Sequence, residues 1–216
     1  MSSVVQRIGT IGESILGDLE GVNAARERAL AESRQIIRLS ANTIRAVHRH
    51  DFDEASELLS QARAMKEGLA DLLSEYPQIY WAGYMRDAQK EFAEANITLA
   101  IIAGRELPSP SDLAVEHSVY LNALGEAAGE LRRYALDAMR RWDLERAETI
   151  LGVMDESYGL LVTVDYPDAV TGGLRRTTDM VRGVSERTRG DLTVALQQRT
   201  LTQALERVEA KLDAVG

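Results

Sequence analysis

Prolines are few in this chain and lie far apart. The four prolines of the 216-residue sequence are Pro77, Pro108, Pro110 and Pro167, and proline is the residue that most strongly disfavours a helix interior. The stretches between them are dominated by alanine, leucine, glutamate and arginine, which favour helix. They lack the alternation of apolar and polar residues that is typical of strands. The chain is therefore expected to be helical almost throughout.

Apolar residues at helical spacing predict about seven helices with mostly short connections. Asp51 or Asp53 is placed to cap the second helix, Pro77 begins the third, and Asp143 begins the sixth. This pattern predicts one all-α domain over residues 1–216. The predicted helices span residues 3–50, 53–75, 77–103, 111–116, 118–141, 143–161 and 174–214.

The last predicted helix carries apolar residues at sevenfold spacing. Such a repeat forms a heptad seam, which packs either on its own domain or on another subunit. The members of the seam are Val194, Leu201, Val208 and Val215, with Leu205 and Leu212 between them.

Composition limits the classes of function. The chain has no cysteine, which excludes disulfides, thiolate metal sites and cysteine nucleophiles. It has no apolar run long enough to span a membrane and no signal-peptide pattern, so a cytoplasmic location without membrane attachment is expected. The net charge of −9 counts against a uniformly basic nucleic-acid-binding exterior. All of its basic residues except Lys66, Lys90 and Lys211 are arginine, which suits bidentate phosphate contacts.

Two pairs of glutamates are the candidate metal ligands. Glu91 and Glu94 lie one turn apart on the third predicted helix, and Glu126 and Glu130 lie one turn apart on the fifth. Gly129, beside the second pair, would let another helix or a substrate backbone approach closely. Carboxylate oxygens suit Mg²⁺ or Mn²⁺, and four of them could converge in a bundle. The alternative interpretation is that both pairs are solvated helix faces.

A different metal chemistry is excluded by the histidines. A ferritin-like di-iron site needs Glu-x-x-His on two helices. Arg45, Val47 and Ala114 stand three residues before the three histidines, His48, His50 and His117. An all-carboxylate site for phosphodiester hydrolysis, which needs no protein nucleophile, is the remaining scheme.

Four arginines form a stripe along the first predicted helix. Arg34, Arg38, Arg45 and Arg49 share one face at helical spacing. The stripe is either a track for phosphates or a solvated face paired with nearby acids.

Several segments resemble the translin family, and most closely the prokaryotic, archaeal-type relatives of translin-associated factor X. The resemblance extends over nearly the whole chain. It rests on residues 33–34 (SR), 37–38 (IR), 44–49 (IRAVHR), 87–95 (DAQKEFAEA), 120–133 (YLNALGEAAGELRR), 165–176 (DYPDAVTGGLRR) and 187–192 (RTRGDL).

The resemblance implies a fold, an assembly and an activity. The family fold is a seven-helix antiparallel bundle, and its members form homo-oligomeric, octameric shells that enclose nucleic acid. An interior basic surface would reconcile RNA binding, or single-stranded DNA binding, with an acidic exterior. In the active branch, acidic residues on two helices bind Mg²⁺ or Mn²⁺ and cleave RNA. Those positions correspond to Glu91, Glu94, Glu126 and Glu130.

The resemblance therefore implies a metal-dependent endoribonuclease for single-stranded or short nicked RNA. The position of Glu126 is often aspartate in the family, so glutamate here places the carboxylate one methylene further from the helix. One alternative is a non-catalytic shell that binds RNA or DNA, and another is a helical scaffold. The residues expected to hold phosphates are Arg34, Arg38, Arg45, Arg49 and Arg133.

Overall fold

The computed structural model describes residues 2–80 and 82–213. Within these residues the chain is helical with no strand, which confirms the predicted all-α, translin-type fold class. The helices are α1 (Ser2–His48), α2 (Phe52–Leu73), α3 (Pro77–Tyr80), α4 (Gly83–Ala103), α5 (His117–Arg140), α6 (Leu144–Val162), α7 (Asp168–Thr171) and α8 (Leu174–Asp213).

Contacts between residues divide the chain into two units. The first is Met1–Asn96 and the second is Ile97–Gly216, with the boundary inside α4. The prediction of one domain over the whole chain stays a prediction.

In the first unit, α1 and α2 pack along each other as an antiparallel hairpin. The turn between them is closed by His50, which has a φ of 62°, and by Asp51, whose side chain accepts a hydrogen bond from the Glu54 amide at 3.1 Å. Of the two predicted N-caps, Asp51 and Asp53, it is therefore Asp51 that caps α2. Fully buried apolar side chains such as Ile36, Leu69 and Phe92 form the core.

In the second unit, α5, α6 and α8 pack on one another. Asp143, where the sixth helix was predicted to begin, caps α6 by accepting a hydrogen bond from the Arg146 amide at 3.1 Å. The Arg146 side chain donates to the carbonyl oxygens of Ile101 and Ile102, at 3.2 and 2.8 Å, and so satisfies carbonyls at the C-terminus of α4.

Two of the predicted helices differ from the structure. The predicted helix 77–103 is divided, because α3 is a single turn closed by a hydrogen bond from the Ala82 amide to the Ile79 carbonyl at 3.0 Å. The predicted helix 111–116 is a hydrogen-bonded turn. Asp112 accepts from the amide and hydroxyl of Ser109, and the left-handed backbone of Ala114 (φ 48°) ends the turn.

Two further expectations concern the termini and membranes. Val215, the last residue of the predicted heptad seam, lies outside the described residues. Among the described helices, none has both the length and the apolar content that a membrane crossing requires.

Candidate functional site

The predicted arginine stripe is exposed on α1. Arg34, Arg38, Arg45 and Arg49 are all exposed, while neighbouring residues such as Ile36 and Val47 are buried. The stripe spans 16 residues, and its ends are therefore about 22 Å apart. One side of α1 thus packs against the rest of the first unit, and the opposite side presents guanidinium groups to solvent.

Most of these arginines are not neutralised by carboxylates. Arg38 donates to the amide oxygen of Gln35, at 3.0 Å from Nε, and Arg45 donates to the amide oxygen of Asn42. Neither these two nor Arg34 forms an ion pair with any residue that the structure describes. Arg49 forms an ion pair with Glu54, in which both side chains are exposed. Three of the guanidinium groups therefore keep charge that phosphates could use.

The first acidic pair lies within the part of α4 that belongs to the first unit. The carboxylate oxygens of Glu91 and Glu94 come within 4.8 Å of each other. Glu91 is half-buried and Glu94 is 8% exposed. Two ligands of one Mg²⁺ sit about 2.1 Å from the metal, so a small side-chain rotation would let both glutamates reach the same ion.

The core around this pair holds cations as well as apolar groups. Phe92, between the two glutamates in sequence, is fully buried. The Arg63 guanidinium lies 5.6 Å from the centre of its ring and the Lys66 ammonium lies 5.8 Å from it, so both make cation–π contacts. Lys66 is buried, and its pKa is lowered by desolvation and by the neighbouring Arg63 charge.

The second acidic pair lies on α5 in the second unit. Glu126 and Glu130 are both half-buried and one turn apart. Gly129 beside them is exposed, and a Cβ at this position would meet no described atom within 4 Å. The close helix approach considered for Gly129 is thus not made by the described residues, and the surface beside Glu130 is open. The predicted convergence of the two glutamate pairs stays a prediction.

Arg133 is exposed one turn after Glu130. Its guanidinium lies 4.0 Å from the Glu130 carboxylate, with 58% of the Arg133 side chain exposed. An ion pair with this separation and exposure is weak, so it would compete poorly with a phosphate or a metal for either partner.

Sequence reasoning missed two residues that position α5. Asn122 is not among the predicted site residues, but it is buried and joins α5 to α7 and α8. Its amide nitrogen donates to the Thr171 carbonyl at 2.8 Å, and its amide oxygen accepts from the Thr177 hydroxyl at 2.7 Å. Gly125 lies directly against α8, because a Cβ there would be 2.3 Å from Thr177 Cγ2. Both residues lie in the segment 120–133, and its resemblance to the translin family was the only sequence signal that pointed to them.

Similarity to other proteins covers nearly the whole chain. No family model matches it. An uncharacterized protein of Methanocaldococcus jannaschii is 31% identical over 201 residues, which is 92% of this chain and 88% of that protein.

Solved structures agree with this match. The structure of an AfC3PO–duplex RNA complex is similar at 35% identity with a TM-score of 0.81, and the match covers 87% of this chain and 97% of that one. A crystal structure of AfC3PO is similar at 34% identity and the same TM-score, with 87% and 98% covered. A crystal structure of apo-NeC3PO shares the fold, with a TM-score of 0.78 and 20% identity. That match covers 85% of this chain and 96% of the other. With relatives above 30% identity along almost its entire length, the chain belongs to the translin family, in its archaeal-type C3PO branch.

Proposed function

We propose that this protein binds RNA and cleaves it as an endoribonuclease that depends on Mg²⁺ or Mn²⁺. The observation that carries the proposal is the similarity, over 87% of the chain, to a protein whose structure was solved with duplex RNA. The exposed arginine stripe on α1 supports RNA binding, because guanidinium groups without carboxylate partners are suited to phosphate oxygens.

Glu91, Glu94, Glu126 and Glu130 would hold the metal. A set of oxygen donors with no histidine or cysteine fits Mg²⁺ and Mn²⁺ better than zinc or iron. When bound, such a metal supplies a hydroxide and polarises the phosphate, so the protein needs no nucleophile of its own. The arginines Arg34, Arg38, Arg45, Arg49 and Arg133 would orient the RNA backbone.

A second candidate function is a non-catalytic nucleic-acid-binding assembly for RNA or single-stranded DNA. The exposed arginine stripe on α1 supports it equally, because phosphate binding by guanidinium groups needs no metal. In this case the acids would only balance arginine charge. The proposed assembly in both cases is a homo-oligomer, with eight subunits as the family implies, and a native mass measurement tests that number.

A cleavage assay separates the two candidates. Labelled single-stranded, nicked and duplex RNA would be incubated with the wild type in Mg²⁺, in Mn²⁺ and in EDTA, in parallel with Glu94→Gln. The nuclease proposal expects cleavage that EDTA abolishes. It also expects Glu94→Gln to bind RNA at least as tightly, because a carboxylate that repels phosphate is gone, but to cleave it at least about a hundredfold more slowly. Metal-independent retention of intact RNA by the wild type would support the binding assembly instead.

Glu126 allows a finer test, because aspartate is common at this position in the family. Glu126→Asp keeps the charge and is expected to leave cleavage within about tenfold of the wild type, whereas Glu126→Gln removes a charged ligand and should abolish it. If Glu126→Gln cleaved RNA at the wild-type rate, this residue would not be a metal ligand.

A further inference from the structure

The beginning of α1 is an apolar helix that lies open to solvent. Over residues 4–19 its large apolar side chains are 45–68% exposed. We refer to residues 4–19 as the α1 overhang. Its exposed apolar residues are Val4, Val5, Ile8, Ile11, Ile15, Leu16 and Leu19.

The α1 overhang is also a poor helix former by composition. Gly9, Gly12 and Gly17 lie in it, and glycine is among the weakest helix formers. A Cβ at any of the three would meet no described atom within 4 Å, so nothing in the described chain packs against them. A helix with exposed apolar residues and several glycines needs an external surface to stabilise it.

The second unit offers an apolar groove that is likewise exposed. Leu136, Met139, Trp142 and Val194 line a groove of about 460 Å³ between α5 and α8. The left-handed backbone of Trp142 (φ 62°) turns at the end of α5 and leaves its side chain 56% exposed. A tryptophan this exposed at the mouth of an apolar groove is typical of an interface residue.

From this groove an apolar seam continues along α8. Its residues follow one another at spacings of seven, four, three and four, as in a heptad repeat, and their side chains are 53–67% exposed. We refer to them as the α8 seam. The members are Val194, Leu201, Leu205, Val208 and Leu212.

We propose that the α1 overhang of one copy of this chain packs into the Trp142 groove and along the α8 seam of a second copy. The dimensions match, because the overhang is about 24 Å long and the seam about 28 Å at 1.5 Å per residue. Val4, Ile8, Ile11 and Ile15 also repeat at spacings of four and three, so the side chains of the two helices can interdigitate. This contact rests on the proposed homo-oligomer, for which it names one interface, and it does not depend on RNA cleavage.

Charge supports this occupant over RNA. The overhang carries Glu13 and Asp18 against Arg7, so it is acidic and would repel phosphates. The groove is flanked by Arg140, which is paired with Asp137 at 3.2 Å, and by the exposed Arg141. Its one lining acid among the described residues, Asp191, is neutralised by Arg132 at 2.8 Å. An acidic apolar helix therefore fits a groove with arginines at its edge.

Cysteine cross-linking tests the pairing directly, since the chain has no natural cysteine. Ile15→Cys and Leu201→Cys would be prepared with different tags, dissociated, mixed, reassembled and oxidised. The expected product is a disulfide between the two differently tagged chains. Glu20→Cys with Gln203→Cys is the matched control, because both residues are exposed on the same helices but off the apolar faces. Predominant Leu201–Leu201 or Ile15–Ile15 products, or no product above the control, would overturn the proposal.

A second measurement uses Trp142 as a probe in a Trp81→Phe background, where it is the only tryptophan. Its emission should shift to shorter wavelength as the protein assembles with rising concentration. Ile8→Asp with Ile15→Asp should abolish that shift and lower the native mass at least twofold. If RNA rather than assembly shifted the Trp142 emission, the groove would be an RNA surface and the proposal would be wrong.

Discussion

Glu94 places a carboxylate where carboxylates are rare. It is 8% exposed on a helix whose neighbouring residues Phe92, Ala93 and Ala95 are fully buried. A charge that is this far from water persists in a native protein when cations, donors or a metal compensate it. A carboxylate oxygen of Glu91 lies within 4.8 Å of one of Glu94, so one divalent ion could contact both residues. A divalent ion is the compensation that the proposed function assigns to it.

Lys66 gives a prediction about pH. Its pKa is lowered, first by burial and then by Arg63, so the folded state releases the proton at a lower pH than the unfolded state does. Between the folded pKa and the unfolded value of 10.5 the unfolded chain binds more protons, and stability must rise with pH there. As the pH rises through that window, the free energy of unfolding of the wild type should therefore increase relative to that of Lys66→Met.

Urea denaturation across that pH range measures the difference. Lys211→Met is the control, because Lys211 is exposed in the last turn of α8. Parallel curves for the wild type and Lys66→Met would show that Lys66 does not titrate as predicted.

Two glycines on α5 should respond in opposite directions to the same substitution. Gly125→Ala would place a Cβ 2.3 Å from Thr177 Cγ2, and Thr177 cannot rotate away without losing its hydrogen bond to Asn122. We expect a loss of about 1–3 kcal/mol in the free energy of unfolding. Gly129→Ala meets open space and should add about 0.5–1 kcal/mol by improving helix propensity. Denaturant titration measures both, and a change of the same sign in the two variants would contradict the packing described for α5.

At the scale of the element, α1 combines two surfaces of different character. Its arginine stripe begins at Arg34, well beyond the apolar overhang of residues 4–19. One long helix can therefore serve nucleic-acid binding in one part and subunit contact in another. The continuous hydrogen-bonded backbone from Ser2 to His48 keeps the two surfaces on one element.

The stripe predicts a change in salt dependence. Arg38→Ala with Arg45→Ala should lower RNA affinity and make the slope of log K against log salt shallower by about 1.5, because about two fewer phosphate contacts release counterions. Arg26→Ala with Arg28→Ala is the control, since those arginines are paired with Glu27 and Glu32. Equal slopes for the two double variants would show that the stripe does not contact RNA.

The start of a helix could be predicted from the sequence where a capping residue marked it. Asp51 and Asp143 marked the starts of α2 and α6 through short-range hydrogen bonds that a sequence can reveal. The interruption between α3 and α4 was missed although Gly83, a weak helix former, stands at it, because the residues on both sides keep helical spacing. The partners of Asn122 lie 49 and 55 residues away in the chain, and no local pattern predicts contacts at that distance.

At the scale of the whole molecule, the two acidic pairs belong to different units. Glu91 and Glu94 lie in Met1–Asn96, and Glu126 and Glu130 lie in Ile97–Gly216. Sequence spacing could predict each pair, because both pairs are one turn apart on a single helix. The proposed metal site requires more, namely that ligands from both units bind the same ion.

Titration with Mn²⁺, followed by electron paramagnetic resonance of the free ion, tests this requirement most directly. The wild type, Glu91→Gln and Glu126→Gln would be compared, with Glu145→Gln on the exposed face of α6 as the control. We predict that Glu91→Gln and Glu126→Gln each lower the Mn²⁺ affinity of the same site by at least about tenfold. The loss of affinity in the double variant should be smaller than the product of the two single losses, because both ligands bind one ion. Wild-type affinity in Glu126→Gln, or no Mn²⁺ binding by the wild type, would contradict a metal site shared by the two units.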